Sequence, residues 1–257
     1  MLRKIAGFIC GAFLLCGYIN TPIATAEQAP LKFVTSGYKP YAWQEDGEDK
    51  GIYFEILREA LTKRMGIAFT VETLPWKRCQ EYVKSGEVDA IATVSTPERL
   101  DYSEASEEPL SRPSVVLFTR VDHPKLEEIK KIQTFEDLKA WRVLDYLGDS
   151  WGENNLEKRG ISVDWTPQIS MVFKKLEADR GDIFIGLREP MLLQIKETGL
   201  QNMIIDLPIV FDHSEMRLLI SKKSAYLSIL PKFDEVMRQM REDGTLQTLF
   251  ERYDMKE

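Results

Sequence analysis

GEVDAIATVSTPERLDYS, residues 86–103, reads as the end of a helix, a tight loop, a buried strand and a polar loop that carries Arg99. Gly86 suits the position just past a helix, where glycine alone adopts a left-handed backbone without steric cost. Val88, Ala90, Ile91, Ala92 and Val94 form a short, nearly continuous apolar run. Such a run is expected of a strand covered on both faces in a parallel sheet. Ligands of open α/β sheets sit beyond the carboxyl ends of such strands. Thr96-Pro97-Glu98-Arg99 falls there, and an arginine at that place offers a planar fork to a carboxylate. A solvated surface arginine is the other reading, and the stretch alone leaves both open.

The pattern returns. Asp179-Arg180-Gly181-Asp182 precedes a second apolar run, Ile183–Ile185, as Gly86-Glu87-Val88-Asp89 precedes the first. The echo, Val83–Ile91 against Leu176–Ile185, suggests two α/β lobes of like construction. Around it, strands are expected at Leu31–Thr35, Ile67–Leu74, Val115–Thr119, Arg142–Leu147, Ile161–Trp165, Ile204–Ile205 and Leu218–Ile220. Helices are expected at Tyr53–Met65, from Pro75 to Gly86, and at Glu153–Arg159, Ser170–Ala178, Pro190–Gly199, Tyr226–Glu242 and Leu246–Tyr253. Phe54, Leu57, Leu61 and Met65 share one helical face, as an amphipathic helix requires. Alternating strands and helices indicate an α/β protein with mainly parallel sheets.

Three aromatics, Tyr38, Tyr41 and Trp43, follow the first strand within six residues. They suit either a ligand platform or a plug of core aromatics. Gly148-Asp149-Ser150-Trp151-Gly152 turns a strand into a helix, where free N–H groups can receive an anion or where the chain simply reverses. Trp76 and Trp151 suit a cleft wall or core packing equally. Arg78 reads as a second anion contact or a salt-bridged surface residue.

The 257 residues suffice for one large domain or two smaller lobes. Charged residues at 29 % argue against a long disordered region. The net charge of −7, without a Lys/Arg cluster, argues against nucleic acid as a partner. Arg3-Lys4, an apolar Ile5–Ile19 and Ala24-Thr25-Ala26 read as a cleaved signal peptide over 1–26, with a mature chain from Glu27; a retained anchor is the alternative. Cleavage removes Arg3 and Lys4 but no acid, so −7 becomes −9. It also removes Cys10 and Cys16, leaving Cys79 without a disulfide partner. Cys79 lacks a nearby base and reads as a helix residue rather than a nucleophile. No phosphate loop, metal-ligand cluster, G-x-S-x-G or serine–histidine pairing is present. No cofactor or metal is therefore expected.

These residues resemble the bacterial extracellular solute-binding proteins of the polar amino-acid type, family 3, across the whole mature chain. The likeness rests on Gly37, Tyr38, Pro40 and Tyr41 after the first strand, and on Gly51 to Leu57 leading into the first helix. It continues in Gly86 to Ile91, Thr96 to Arg99, Ser103, and Met240 to Leu246 with Tyr253. The resemblance implies a type II periplasmic-binding-protein fold with a two-strand hinge. Lobe 1 is then 27–112 plus 214–257, and lobe 2 is 113–213. It implies Arg99 on a ligand carboxylate, Tyr38 stacking beside Tyr41, Thr93 and Ser95 supplying hydroxyls, Trp76 in the cleft wall, and Ser150 in the second lobe's contribution. It further implies a periplasmic, monomeric receptor that delivers a small-molecule solute to an ABC-transporter permease and is not an enzyme. A dehydratase on the same fold, with Glu189 as acid, and a soluble solute sensor are the alternatives. Pro75-Trp76-Lys77-Arg78 marks a subgroup.

Two departures bear on the ligand. The aspartate that usually holds an α-ammonium beyond the second Gly-Asp strand is replaced by Leu187, and Thr35 stands where some members carry an aspartate before the stacking aromatic. The sequence thus supplies the acid-binding half of an amino-acid site and leaves the ammonium half unassigned.

Overall fold

The computed structural model describes residues 29–255, and the side chain of Ser150 is not among those described. The expected signal peptide, 1–26, and the start at Glu27 lie outside the described residues. In chain order the strands are β1 (Leu31–Thr35), β2 (Trp43–Glu45), β3 (Glu48–Lys50), β4 (Phe69–Thr73), β5 (Ala90–Val94) and β6 (Ser103–Ala105). They continue as β7 (Ser114–Arg120), β8 (Val143–Tyr146), β9 (Val163–Thr166), β10 (Ile183–Leu187), β11 (Ile204–His213) and β12 (Met216–Ser221). One sheet has the order β4-β1-β5-β12-β6, the other β11-β7-β10-β8-β9, and β2-β3 is a separate hairpin.

Each sheet has a parallel part, β4-β1-β5 in one and β9-β8-β10 in the other. The returning strands close each sheet with antiparallel pairs. The chain passes between the sheets twice, and the two passages lie side by side: Ser114 pairs with His213 and Ser111 with Met216.

The repeated Gly-Asp pattern has the same task in both sheets. The Asp89 N–H donates to the Lys32 carbonyl (2.9 Å) while its carboxylate accepts the Lys32 N–H (2.8 Å). The Asp182 N–H donates to the Arg142 carbonyl (2.9 Å) while its carboxylate accepts the Arg142 N–H (2.8 Å). Each aspartate thus locks the start of its strand to the neighbouring parallel segment and fixes register. Beyond each lock the strand is apolar on both faces because both faces are covered. Ala90 packs into a core with Phe33 and Phe233, whereas Ile91 packs on the opposite side with Cys79 and Val83. In the second sheet Ile183 and Ile185 face one core and Phe184 the other.

Gly86 ends the helix Trp76–Ser85 with φ 81° and donates to Tyr82 and Val83. A Cβ there would lie 2.8 Å from that of Lys223. Cys79 is buried on this helix with its thiol 3.3 Å from the Leu74 carbonyl, and burial pushes its pKa up to about 11. A thiol so placed packs and does not attack.

Several elements differ from the sequence reading. The polar loop after β5 is a short helix, Pro97–Tyr102, because Thr96 caps it and Pro97 fits its first turn. The expected helix Tyr53–Met65 is α-helical only over Ile52–Leu57 and π-helical over Arg58–Arg64. That winding keeps Ala60 and Leu61 in the core while Glu59 pairs with Lys63 and Arg64 outside. The helix expected at Glu153–Arg159 begins earlier, at Ser150, where Asp149 caps it. Pro231 sits in the first turn of Leu230–Glu242, so the preceding Leu227–Ile229 forms a separate 3₁₀ turn.

Asp182 also joins His123 (3.1 Å) and the Arg142 guanidinium (2.7 Å). Burial alone would raise its pKa, but the bonds from Arg142 and His123 outweigh it and hold the carboxyl at about 2. Its folded pKa is thus below the unfolded value, and a contribution of about 2 kcal/mol is present above about pH 4 and lost as pH falls toward 2. Urea unfolding of Asp182→Asn should show reduced stability at pH 6 and a gap to wild type that narrows between about pH 4 and 2. A gap independent of pH would contradict this.

Candidate functional site

A cavity of about 330 Å³ lies where the carboxyl ends of the two parallel units face one another. One wall comes from the ends of β1 and β5, the other from the ends of β8 and β10, and Ser214 and Met216 of the crossing segment lie between.

Arg99 lines the first wall. The capped turn of helix Pro97–Tyr102 aims it back over the end of β5. Its Nη1 donates to the Val94 carbonyl (2.9 Å), its Nε to Gln80 (3.3 Å), and its guanidinium lies 5.0 Å from the Trp76 ring centre. Loss of water lowers its pKa, yet a guanidinium stays charged throughout the physiological range. Among the described residues no carboxylate pairs with it, and its second terminal nitrogen has no hydrogen-bond partner. Thr93 stands beside it on the same wall.

The aromatics after β1 form a stack running inward from the cavity. Tyr38 and Tyr41 are 5.6 Å apart between ring centres, Tyr41 and Tyr53 5.0 Å. Tyr38 is 39 % exposed whereas Tyr41 is fully buried. Tyr41 is thus packed as a core residue, while Tyr38 is the ring with an exposed face on the cavity. The Tyr53 hydroxyl bonds Ser111 at 2.7 Å, beside a crossing segment. The Tyr41 hydroxyl donates to Glu189 Oε2 at 3.1 Å, a bond from the first wall to the helix Arg188–Glu197 of the second. Thr35 accepts the Gly37 N–H and donates to the Ala42 carbonyl, so it shapes this loop from inside.

The second wall carries Tyr146, Asp149, Trp151, Leu187 and Met191. Of the two readings of this turn, the ordinary strand-to-helix connection fits it: the Asp149 carboxylate takes the Trp151 N–H at 3.0 Å and caps the helix. Behind it Asp145 is fully buried, accepts the Tyr146 N–H at 2.8 Å, and its carboxyl meets that of Asp149. Burial, then the Asp149 charge, raises the Asp145 pKa, and burial raises that of Asp149 as well, so the pair favours carrying a proton. Gly152 is required here: a Cβ would stand 1.9 Å from Asp145 Oδ2. Trp151 Nε1 reaches Asp212 at 2.9 Å, tying this turn to β11.

Of the residues singled out by sequence, Arg99, Tyr38, Tyr41, Thr93 and Trp76 come together on the cavity. Ser95 is not among its lining residues, since β5 ends at Val94 and the chain turns toward the Thr96 cap. The side chain of Ser150 lies outside the described residues. Arg78 is exposed and away from the cavity. Glu189 is engaged by Tyr41 and does not line the cavity. Asp149, Tyr146 and Met191 were missed. The signal for Asp149 was its place in a strand-to-helix turn, where Asp is both a cap and a charge. Among the described residues no group of three or more His, Cys, Asp or Glu is arranged to hold a metal.

Residues 31–256 match the profile of the bacterial extracellular solute-binding proteins, family 3. The chain belongs to this family. Among curated proteins, this solute-binding protein is 23 % identical over 243 residues to the probable amino-acid-binding protein YxeM of Bacillus subtilis, covering 93 % of this chain and 88 % of that one. Among solved structures it is similar to a histidine kinase sensor domain related to periplasmic binding proteins, with TM-score 0.66, 20 % identity, and 86 % and 94 % of the two chains covered. It is also similar to the unliganded, open L-cystine solute receptor of Neisseria gonorrhoeae, with TM-score 0.65, 21 % identity, and 87 % and 91 % covered. These likenesses establish a periplasmic-binding-protein fold. The relatives whose names state a role bind or sense solutes.

The two outer tyrosines separate in their expected effects. Tyr41→Phe removes a buried bond to a carboxylate and should lower unfolding free energy by about 1–3 kcal/mol. Tyr38→Phe should stay within about 0.5 kcal/mol of wild type, as a surface change does. Urea unfolding at neutral pH checks both, and equal losses would contradict the assignment of the bond.

Proposed function

We propose that this protein is the periplasmic receptor of an ABC importer, capturing a small carboxylate-bearing solute between two lobes and delivering it to a membrane permease. The lobes are 27–112 with 214–257, and 113–213, joined by the paired crossing segments. Arg99 carries the reading: a guanidinium in the cleft, held in place by neutral groups and without a carboxylate partner among the described residues. Such a charge is best satisfied by an anion arriving from outside. Thr93 adds a hydroxyl, and Tyr38 and Trp76 add flat faces on the same wall.

Closure follows from the site's division between two walls. A solute that touches both is held more tightly when the lobes are together, and it shifts the equilibrium by that difference in affinity. The two crossing segments are the natural hinge. Among the described residues no helix is long and apolar enough to cross a membrane, which agrees with an exported receptor. The amino-acid-binding name of the Bacillus subtilis relative supports an amino acid or a related acid as the solute.

A thermal-shift screen of amino acids, dicarboxylates, amines and small peptides should find a stabilising solute, since a ligand of the folded state raises apparent stability. Arg99→Ala should keep the fold and weaken that solute by roughly 30- to several-thousand-fold in calorimetry, the cost of removing one partner of a desolvated charge pair being about 2–5 kcal/mol. Unchanged affinity would refute the role of Arg99.

A further inference from the structure

On the receptor reading of the cleft, on which this step rests, we infer that the solute is an aromatic carboxylate, its flat ring held between rings of the two walls and its binding owing little to any ammonium group. Rings reach the cavity from both sides. Tyr38 and Trp76 line the first wall, Tyr146 and Trp151 the second, and all four keep part of their surface exposed. Three of them are held by neighbours. Tyr38 leans on the buried Tyr41 at 5.6 Å between ring centres, Trp76 carries the Arg99 guanidinium over its ring at 5.0 Å, and the Trp151 indole donates to Asp212 at 2.9 Å. Side chains held before a solute arrives lose little freedom when it binds. Aromatic rings that meet face or edge also gain beyond the area they bury.

The rest of the lining disfavours a charged body. Among the described residues Arg99 is the one cation lining the cavity and Asp149 the one carboxylate. The Asp149 oxygens are occupied by the Trp151 N–H at 3.0 Å, the Gly152 N–H and the Asp145 carboxyl. An ammonium or guanidinium brought against them gives up water without meeting a free carboxylate, and ring faces repay only part of that loss. A second carboxylate meets the Asp149 charge and no further cation. Leu187 and Met191 complete this wall with apolar side chains, and burial raises the pKa of the Tyr38 and Tyr146 phenols, so both stay neutral. What fits between the walls is flat and apolar. The cavity of about 330 Å³, near the lower end for ligand pockets, suits one ring or a fused pair on a short acid chain.

The probes are 3-phenylpropionate, L-phenylalanine, L-leucine, L-lysine and L-glutamate, titrated calorimetrically into wild type, Tyr38→Leu and Arg99→Ala, with thermal unfolding of each protein as a fold check. In wild type, 3-phenylpropionate and L-phenylalanine should bind within about 10-fold of one another, and each about 10-fold or more tighter than leucine, lysine or glutamate. Tyr38→Leu keeps apolar bulk and removes the ring, and should weaken both aromatic probes by about 3-fold or more. The wild-type comparison stands whether or not a variant folds. Leucine, lysine or glutamate within about 10-fold of the aromatic probes overturns the assignment, as does 3-phenylpropionate more than about 10-fold weaker than L-phenylalanine. Aromatic binding indifferent to Tyr38→Leu, or no binding by any probe, overturns it equally. A stabilising solute that needs Arg99 but carries no aromatic ring defeats this inference alone, whereas solute binding indifferent to Arg99→Ala defeats the receptor reading beneath it.

Discussion

A guanidinium that has given up part of its water and has no carboxylate paired with it among the described residues is the constraint around which this molecule is arranged. Charges removed from water are costly unless paired. Among the described residues Arg99 donates to the Val94 carbonyl and Gln80 and lies over the face of Trp76. None of these cancels its charge. The Thr96 cap and Pro97 fix the helix that carries it, and the helix Trp76–Ser85 supplies two of the three neutral partners, Gln80 and Trp76. The fold holds a positive group at the mouth of a cavity and leaves its counter-charge to come from elsewhere.

That placement depends on the frame beneath it. Asp89 and Asp182 lock adjacent parallel segments in register, each with one accepted and one donated backbone bond. Once register is set, the strand ends of both sheets converge on the same cavity. The sheets meet through two adjacent crossing segments, and the Tyr38–Tyr41–Tyr53 stack runs from the cavity toward them. The Tyr41–Glu189 bond spans the two walls. The cavity lining, the bond between walls and the bond beside the crossing segment therefore fall to three consecutive rings. This arrangement suits a protein that changes shape when it binds.

Much of this was legible in the sequence because it rests on local rules. Gly86 announced a helix end, the Val88–Val94 and Ile183–Ile185 runs announced buried strands, and the Gly-Asp echo announced two like units. Arg99 stood just beyond a buried strand, which placed it on the cavity without deciding its role. What escaped depends on geometry that local rules do not contain. Asp149 reads as a turn residue until its carboxylate is seen to consume the N–H it was expected to leave free. The Tyr41–Glu189 bond joins residues 148 apart. Ser95 shares strand spacing with Thr93, yet the strand stops between them. The π-helical turns of Arg58–Arg64 keep Ala60 and Leu61 on the face an α-helix would also bury, so the spacing of apolar residues does not distinguish the two windings.

The most direct test of the central claim is a crystal structure of the protein with the solute that stabilises it most. The account predicts a carboxylate on the free edge of Arg99, with both walls in contact with the solute. A solute bound elsewhere, with the Arg99 guanidinium contacting nothing beyond Val94, Gln80 and Trp76, would contradict it.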